Sequence, residues 1–398
     1  MSVDGLQPLS PILAARIPVE LHLEIIGWLA CDRHSLHICA MVSRTWYPHS
    51  VHLLYEKVDI GALNTVSSMA QSAFKHERVR HNLVGTLALD LDGASEINSG
   101  RTLESALVVL ASLMPSLQKL TLRQCLPCPL HTSFYAALRA CKNVTDLTLC
   151  GVVLENYRVL FRVLCGFPQL RRVAFEGNLR FSHATSPSPV DSVLLRRSKH
   201  PTSCELRHLR ISVSNKALVI PLVQWLVDSS LHTSIESLET RVADKHVTVL
   251  NELLQAIGPS LVHFRELVAL NKKFAHLDLR HNTSLQTIEL YSGHRSLTDI
   301  ETVLQLTRAL ASVGSPRLTR IVLKCGDHPG SWKPSANVRA FDTADLIPLH
   351  AVIGRPVFDA LRVVQVVVCR KRSQDVVAVM TINRLLAPWC ARGIVSFI

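Results

Sequence analysis

The chain has 398 residues, 43 Lys and Arg against 31 Asp and Glu, a formal net charge of +12 and 48% hydrophobic content. Its length allows two or three domains or one continuous repeat array, and its apolar share lies at the upper end of ordinary globular composition. No apolar run approaches the roughly 18 residues that a bilayer span needs; even Val363–Cys369 is broken by Gln365 and preceded by Arg362, so no membrane segment is expected. Residues 1–12 read as a tail, with Asp4, Pro8 and Pro11 and no basic stretch leading into an apolar one, so no secretory signal is expected.

From Ile17 to Trp46 the chain reads IPVELHLEIIGWLACDRHSLHICAMVSRTW. Leu21, Ile25, Trp28 and Leu29 fall at helical spacing, Pro18 sits where a first turn tolerates a missing N–H, and Gly27 is the weak point. Asp32 or Ser35 is in position to cap a second helix whose apolar side carries Leu36, Cys39, Ala40 and Val42. Ser43-Arg44-Thr45-Trp46 then opens a third short segment, which runs through Leu53-Leu54-Tyr55-Glu56 into a strand-like Val58–Ile60. Three helices in about 40 residues bury little core, so packing against a partner or the following domain is expected.

The segment Leu13–Val58 resembles the F-box, by which adaptor subunits of SCF-type ubiquitin ligases attach to the linker protein that joins them to the cullin scaffold. Ile17-Pro18-x-Glu20-Leu21 stands where that family has Leu-Pro-x-Glu-Leu, and Ile25-Ile26 and Leu29 follow. Leu36, Ala40, Val42, Ser43 and Trp46 match the family's leucine, its alanine-valine-serine region and its tryptophan. The style is similar to F-box-like proteins of mushroom-forming fungi, with Ile17 a conservative departure. The resemblance implies linker-protein-binding roles for Ile17, Pro18, Glu20, Leu21, Ile25, Ile26, Leu29, Leu36, Val42 and Ser43, with Trp46 nearer the internal core. Periodicity alone gives the same stripe to a plain core and to a docking face.

Residues 59–83 read as a linking helical segment. From residue 84 to 398 an element of the form apolar-x-x-apolar-x-apolar recurs at Val84–Leu89, Leu117–Leu122, Val144–Leu149, Leu170–Phe175, Leu206–Ile211, Leu285–Leu290 and Leu318–Leu323. Weaker copies begin at Ile235, Phe274 and Leu361. Several copies end in a polar or Cys/Gly turn. Between them Ser105–Met114, Phe134–Cys141, Tyr157–Cys165, Leu218–Asp228 and Ile300–Val313 have helical spacing. One strand and one helix cannot cover their own apolar face, whereas stacked units make a continuous core.

Written out, PSLQKLTLRQC (115–125), KNVTDLTLCG (142–151), PQLRRVAFEG (168–177), CELRHLRIS (204–212), TSLQTIELYS (283–292) and PRLTRIVLKC (316–325) look like degenerate leucine-rich repeats. The fold class expected is therefore α/β: a three-helix F-box followed by an irregular leucine-rich-repeat solenoid with a curved parallel sheet. An ordinary α/β domain would also alternate strands and helices, but the repeated element and the lack of a nucleotide-binding loop favour the solenoid. Loops are expected at 178–203, with Ser186-Pro187-Ser188-Pro189, and at 326–340, with Pro329, Gly330, Pro334 and Ser335.

Signals for chemistry are sparse. Cys125-x-x-Cys128, with Cys141 and Cys150 downstream, lacks the second pair of a zinc site. Asp90, Asp92 and Glu96 read as a polar turn at a strand end, and no His-Glu-x-x-His, Gly-x-Ser-x-Gly or phosphate-loop pattern occurs. No metal, cofactor or catalytic residue is expected. Arg196-Arg197-Ser198-Lys199 and Arg370-Lys371-Arg372 lack the surroundings of a nucleic-acid module, and eleven cysteines point to a reducing compartment, cytoplasmic or nuclear. The resemblance implies a non-enzymatic substrate-recognition adaptor of an SCF-type ligase, with the linker protein, the cullin behind it and an unidentified protein substrate as partners. The alternative is a repeat scaffold for protein–protein interaction without ligase assembly.

Overall fold

Segments in which every second residue is apolar bury one face of a strand and leave the other to solvent. The computed structural model of the chain describes residues 17–61, 64–92, 107–124, 132–181, 205–213, 216–242, 246–268, 277–291, 300–325, 345–368 and 376–398. Helices α1 (Val19–Trp28), α2 (Arg33–Val42) and α3 (Tyr47–Glu56) come first, and α3 runs directly into strand β1 (Lys57–Ile60). After α4 (Asn64–Lys75) and α5 (Glu77–Val84) come β2 (Ala88–Asp92), β3 (Lys119–Arg123), β4 (Asp146–Cys150), β5 (Val153–Leu154), β6 (Arg172–Gly177), β7 (Arg180–Phe181) and β8 (His208–Val213). Then follow β9 (Ser237–Val242), β10 (His263–Val268), β11 (Thr287–Tyr291), β12 (Arg320–Cys325), β13 (Val363–Val368) and β14 (Val395–Phe397). All except β5 and β7 join one sheet of twelve strands in chain order, and every neighbouring pair is parallel. The protein is thus α/β, built on a single long parallel sheet.

Parallel strands need a crossover, and helices supply most of them. Residues 107–113 are helical, and α6 (Thr132–Ala140), α7 (Tyr157–Leu164), α8 (Lys216–Asp228), α9 (Val247–Ile257), α10 (Ile300–Ala311), α11 (Ile347–Ile353), α12 (Val376–Leu385) and α13 (Ala387–Ala391) follow. Leu120, Leu147, Leu209, Ile288 and Ile321 are buried in the same cluster as Leu138, Leu160, Leu222, Leu253 and Leu310 of these helices. The helices therefore cover one face of the sheet and the alternate residues face away from them. Each side chain so buried contributes roughly 1.5–3 kcal/mol.

Successive strands are tied where they begin. The N–H groups of Gln118 and Lys119 both reach the Leu87 carbonyl, those of Thr145 and Asp146 the Gln118 carbonyl, and those of Arg171 and Arg172 the Thr145 carbonyl. The same double donation recurs at the carbonyls of Arg171, Arg207, Glu236, Val262, Gln286 and Thr319. Side chains add ties of the same direction: Asn282 Nδ2 donates to the carbonyls of Leu254 and Gly258 at 3.0 and 2.9 Å, and Ser315 Oγ to that of Leu285 at 2.7 Å. At the other end, β3, β4 and β6 finish in left-handed residues, Gln124 (φ 48°), Gly151 (φ 60°) and Gly177 (φ 69°). The Gln124 side chain lies over Gly151, where a Cβ would meet its Cγ at 3.3 Å.

The structure refines the expected elements. The weaker copies at Ile235 and Leu361 do form strands, β9 and β13, whereas Leu277 and Leu279 are buried without forming one. Strand β10 and helix α9 lie in a stretch where no repeat copy was expected. The third apolar position of the β10 copy, Leu261-x-x-Phe264-x-Glu266, is a carboxylic acid, so the pattern breaks although the backbone does not. The sheet also begins before residue 84: the strand-like Val58–Ile60 lies in β1, which pairs with β2, so residues 59 and 60 of the expected linking helical segment are strand. Of the loop at 178–203, Arg180–Phe181 pairs with β5. The rest of that loop from 182, the loop at 326–340, residues 1–16 and both basic patches lie outside the described residues.

Glu266 is 4% exposed and faces Thr240 and Leu290 in register. Burial pushes its carboxyl up to about 8. The unfolded chain gives up this proton near 4.3, so between about 4.3 and 8 the folded state holds a proton that the unfolded state lacks, and stability falls as pH rises through that window. Urea unfolding of Glu266→Gln between pH 5 and 8.5 should lose this downward slope and show the variant more stable at pH 8; a slope equal to that of the parent chain would refute the assignment. Removing the Asn282 tie, by Asn282→Ala, should cost about 1–3 kcal/mol, because the buried Gly258 carbonyl loses its Asn282 donor and the Leu254 carbonyl keeps only the Gly258 N–H.

Candidate docking face of the N-terminal helices

Pro18 caps α1 from an extended conformation (φ −56°, ψ 144°), and Glu20 lies in the first turn, where a negative charge suits the helix dipole. Asp32 caps α2: its Oδ1 accepts from the N–H groups of His34 and Ser35 at 3.1 and 3.2 Å, and its Oδ2 from Ser35 Oγ at 2.6 Å. The Ser35 hydroxyl, followed by the backbone N–H groups, holds the Asp32 carboxyl below its usual range. Between α2 and α3, Ser43 Oγ bonds Thr45 Oγ1 at 2.7 Å and its carbonyl accepts from the N–H groups of Trp46 and Tyr47. Arg33 then ties α2 to the sheet, reaching the Lys57 carbonyl at 3.2 Å and Asp59 Oδ2 at 3.3 Å.

The bundle these caps hold has a small interior. Ile26 of α1, Leu36 of α2 and Val51 of α3 are its buried apolar side chains, and none belongs to the sheet's core cluster. Apolar surface is instead turned outward: Leu21 and Ile25 are each 48% exposed, Trp28 74%, Met41 69% and Val42 67%, with Val19, Ile38 and Tyr47 also exposed. Leu21, Ile25 and Trp28 form an i, i+4, i+7 stripe, and Ile38, Met41 and Val42 an i, i+3, i+4 stripe on the next helix. Exposed apolar stripes of this kind mark candidate interaction sites.

The ten residues expected at the linker interface thus divide. Pro18, Glu20, Leu21, Ile25 and Val42 are exposed, Ile17, Leu29 and Ser43 are half-buried, and Ile26 and Leu36 are interior, where they hold the bundle and offer no surface. Trp46 is half-buried with its ring 5.4 Å from that of His22. The exposed stripes also contain Trp28, Ile38 and Met41, which the motif match did not select; the i, i+3, i+4 spacing of Ile38, Met41 and Val42 was the available signal.

A second surface is the sheet face turned away from the helices. Along it Glu176, Arg210, Glu239, Arg265 and Glu289 pair in sequence at 3.0, 3.0, 3.3 and 3.0 Å, and Lys324 ends the ladder on Glu289. Beside the ladder a groove of about 500 Å³ crosses β3, β4, β6 and β8 and reaches Ser237 and Glu239 of β9. Its floor is Thr121, Thr148 and Ala174, and its rim carries Lys119, Asp146, Arg172 and His208. Burial, then the nearby Arg172 charge, keep His208 below the usual imidazole range.

Among the described residues no group of three or more His, Cys, Asp or Glu is placed to hold a metal ion, and no helix is long and apolar enough to cross a membrane. Asp90 is paired with Arg123 at 3.0 Å, and Cys141 is buried with its thiol pushed up to about 11. Cys125, Cys128 and Glu96 lie outside the described residues.

The division of the bundle into interior and surface is open to measurement. Leu36→Ala should cost about 2–5 kcal/mol, as for any large core truncation, whereas Trp28→Ser should stay within about 0.5 kcal/mol; equal losses in thermal unfolding would reverse the assignment of faces. No protein-family model matches the chain, and no curated protein matches it.

Proposed function

We propose that this chain is the substrate-recognition adaptor of an SCF-type cullin-RING ubiquitin ligase, with an F-box in α1–α3 and a leucine-rich-repeat solenoid in the sheet and its helices. One observation carries the reading. A bundle with three buried apolar side chains presents two apolar stripes to solvent, and the first of them falls on the Ile17-Pro18-x-Glu20-Leu21 pattern and its continuation through Ile25. A linker protein seated on Leu21, Ile25, Trp28, Ile38, Met41 and Val42 would complete the hydrophobic core that the bundle lacks.

In this reading the adaptor does no chemistry. It holds a target protein near a charged ubiquitin-conjugating enzyme, and the rate gain comes from raised effective concentration, with acyl transfer done by other subunits. The strand-by-strand progression of the sheet supports the repeat assignment, because the nine junctions from β2–β3 to β12–β13 repeat the same tie.

Leu21→Asp and Ile25→Asp should each weaken binding of the full chain to purified linker protein at least a hundredfold, since a charge placed in an apolar interface loses its hydration without gaining a partner. Circular dichroism should show both variants folded, as each site is already half-exposed. Undiminished linker binding by both would defeat the adaptor reading.

A further inference from the structure

We propose that the groove crossing β3, β4, β6 and β8 on the outer sheet face receives an extended acidic segment of a partner protein, its carboxylates set against Lys119 and Arg172. The proposal rests on the adaptor reading for what happens to that partner, but its geometry is independent of α1–α3.

The floor makes close approach possible. From β8 to β11 this register row continues with Arg210, Glu239, Arg265 and Glu289, long side chains that fill the surface and form ion pairs with one another, and on the other side it continues with Asp90, which pairs with Arg123. At Thr121, Thr148 and Ala174 the row is short and uncharged, so a main chain can lie against the sheet. Strands stand roughly 4.8 Å apart, so β3 to β8 spans about 14 Å, the reach of about four extended residues at ~3.3 Å each. The groove volume falls within the ≈300–1,000 Å³ range of ligand sites.

The rim chooses the charge. Lys119 is exposed and forms no ion pair among the described residues, and Arg172 is held by Asp146 only at 3.5 Å. Asp146 lies between these two cations in register and is a single carboxylate against both. Arg210, by contrast, is already shared between Glu176 and Glu239 at 3.0 Å each, which leaves the cationic excess at Lys119 and Arg172. The same Asp146 and Glu239 carboxylates in the lining repel a continuous polyanion, so the fit is to a peptide with isolated acidic side chains and not to a nucleic-acid backbone.

The test is selection of a displayed random dodecapeptide library on the immobilised full chain, followed by fluorescence anisotropy with the recovered peptides. The expected peptides carry Asp or Glu among small residues. They should bind at least tenfold more weakly to Thr148→Trp, which fills the floor, and to the exposed-site variant Lys119→Glu with Arg172→Glu. The second variant should regain binding when the peptide's acids are replaced by Lys. Recovery of no peptide, of peptides lacking a carboxylate, or of peptides indifferent to both variants overturns the proposal, as does displacement by a single-stranded oligonucleotide. Leu21→Asp should leave peptide binding unchanged, so that loss of linker binding and loss of the groove are read separately.

Discussion

From β2 to β13 the sheet depends on one repeated hydrogen-bond arrangement, the main-chain carbonyl that accepts two successive N–H groups from the next strand. It occurs at Leu87, Gln118, Thr145, Arg171, Arg207, Glu236, Val262, Gln286 and Thr319. Each occurrence fixes the register of the strand that follows, and a slip of one residue would turn Leu147 or Ile288 to solvent. Because register is set locally, the stretches between strands are free to differ. Units are joined by a helix as regular as α9 or by the long stretch between β12 and β13, without disturbing the sheet.

The alternation that makes the sheet also gives the molecule two dissimilar faces. On the inner face apolar side chains meet the helices; on the outer face charges pair across strands, from Glu176 to Lys324. Half-buried pairs joined in series hold their long side chains more firmly than isolated surface pairs, which contribute little. The result is a surface largely satisfied within itself, interrupted where Thr121, Thr148 and Ala174 take the place of charged residues.

Strands whose inner positions are aliphatic were legible from sequence because a Leu-x-Leu step states both the period and the buried side. Leu120 and Leu122 or Leu147 and Leu149 leave no ambiguity. Strand β10 was illegible for a physical reason: Glu266 takes an inner position, and a pattern that sorts residues by polarity assigns a buried acid to the surface. In the N-terminal helices the stripes were legible but their direction was not. Ile26 and Trp28 are both large, apolar and on one helix, yet one is interior and the other mostly exposed; only the packing of α1 and α2 against α3 separates them.

The contact between β9 and β10 differs from every other strand contact in its inner row. Thr240 and Glu266 are the one facing pair of that inner register row in which both members are polar. The sheet therefore carries a polar seam near its middle. As pH rises through about 8 the acid at that seam is driven toward ionisation, which costs folded-state stability at this strand pair.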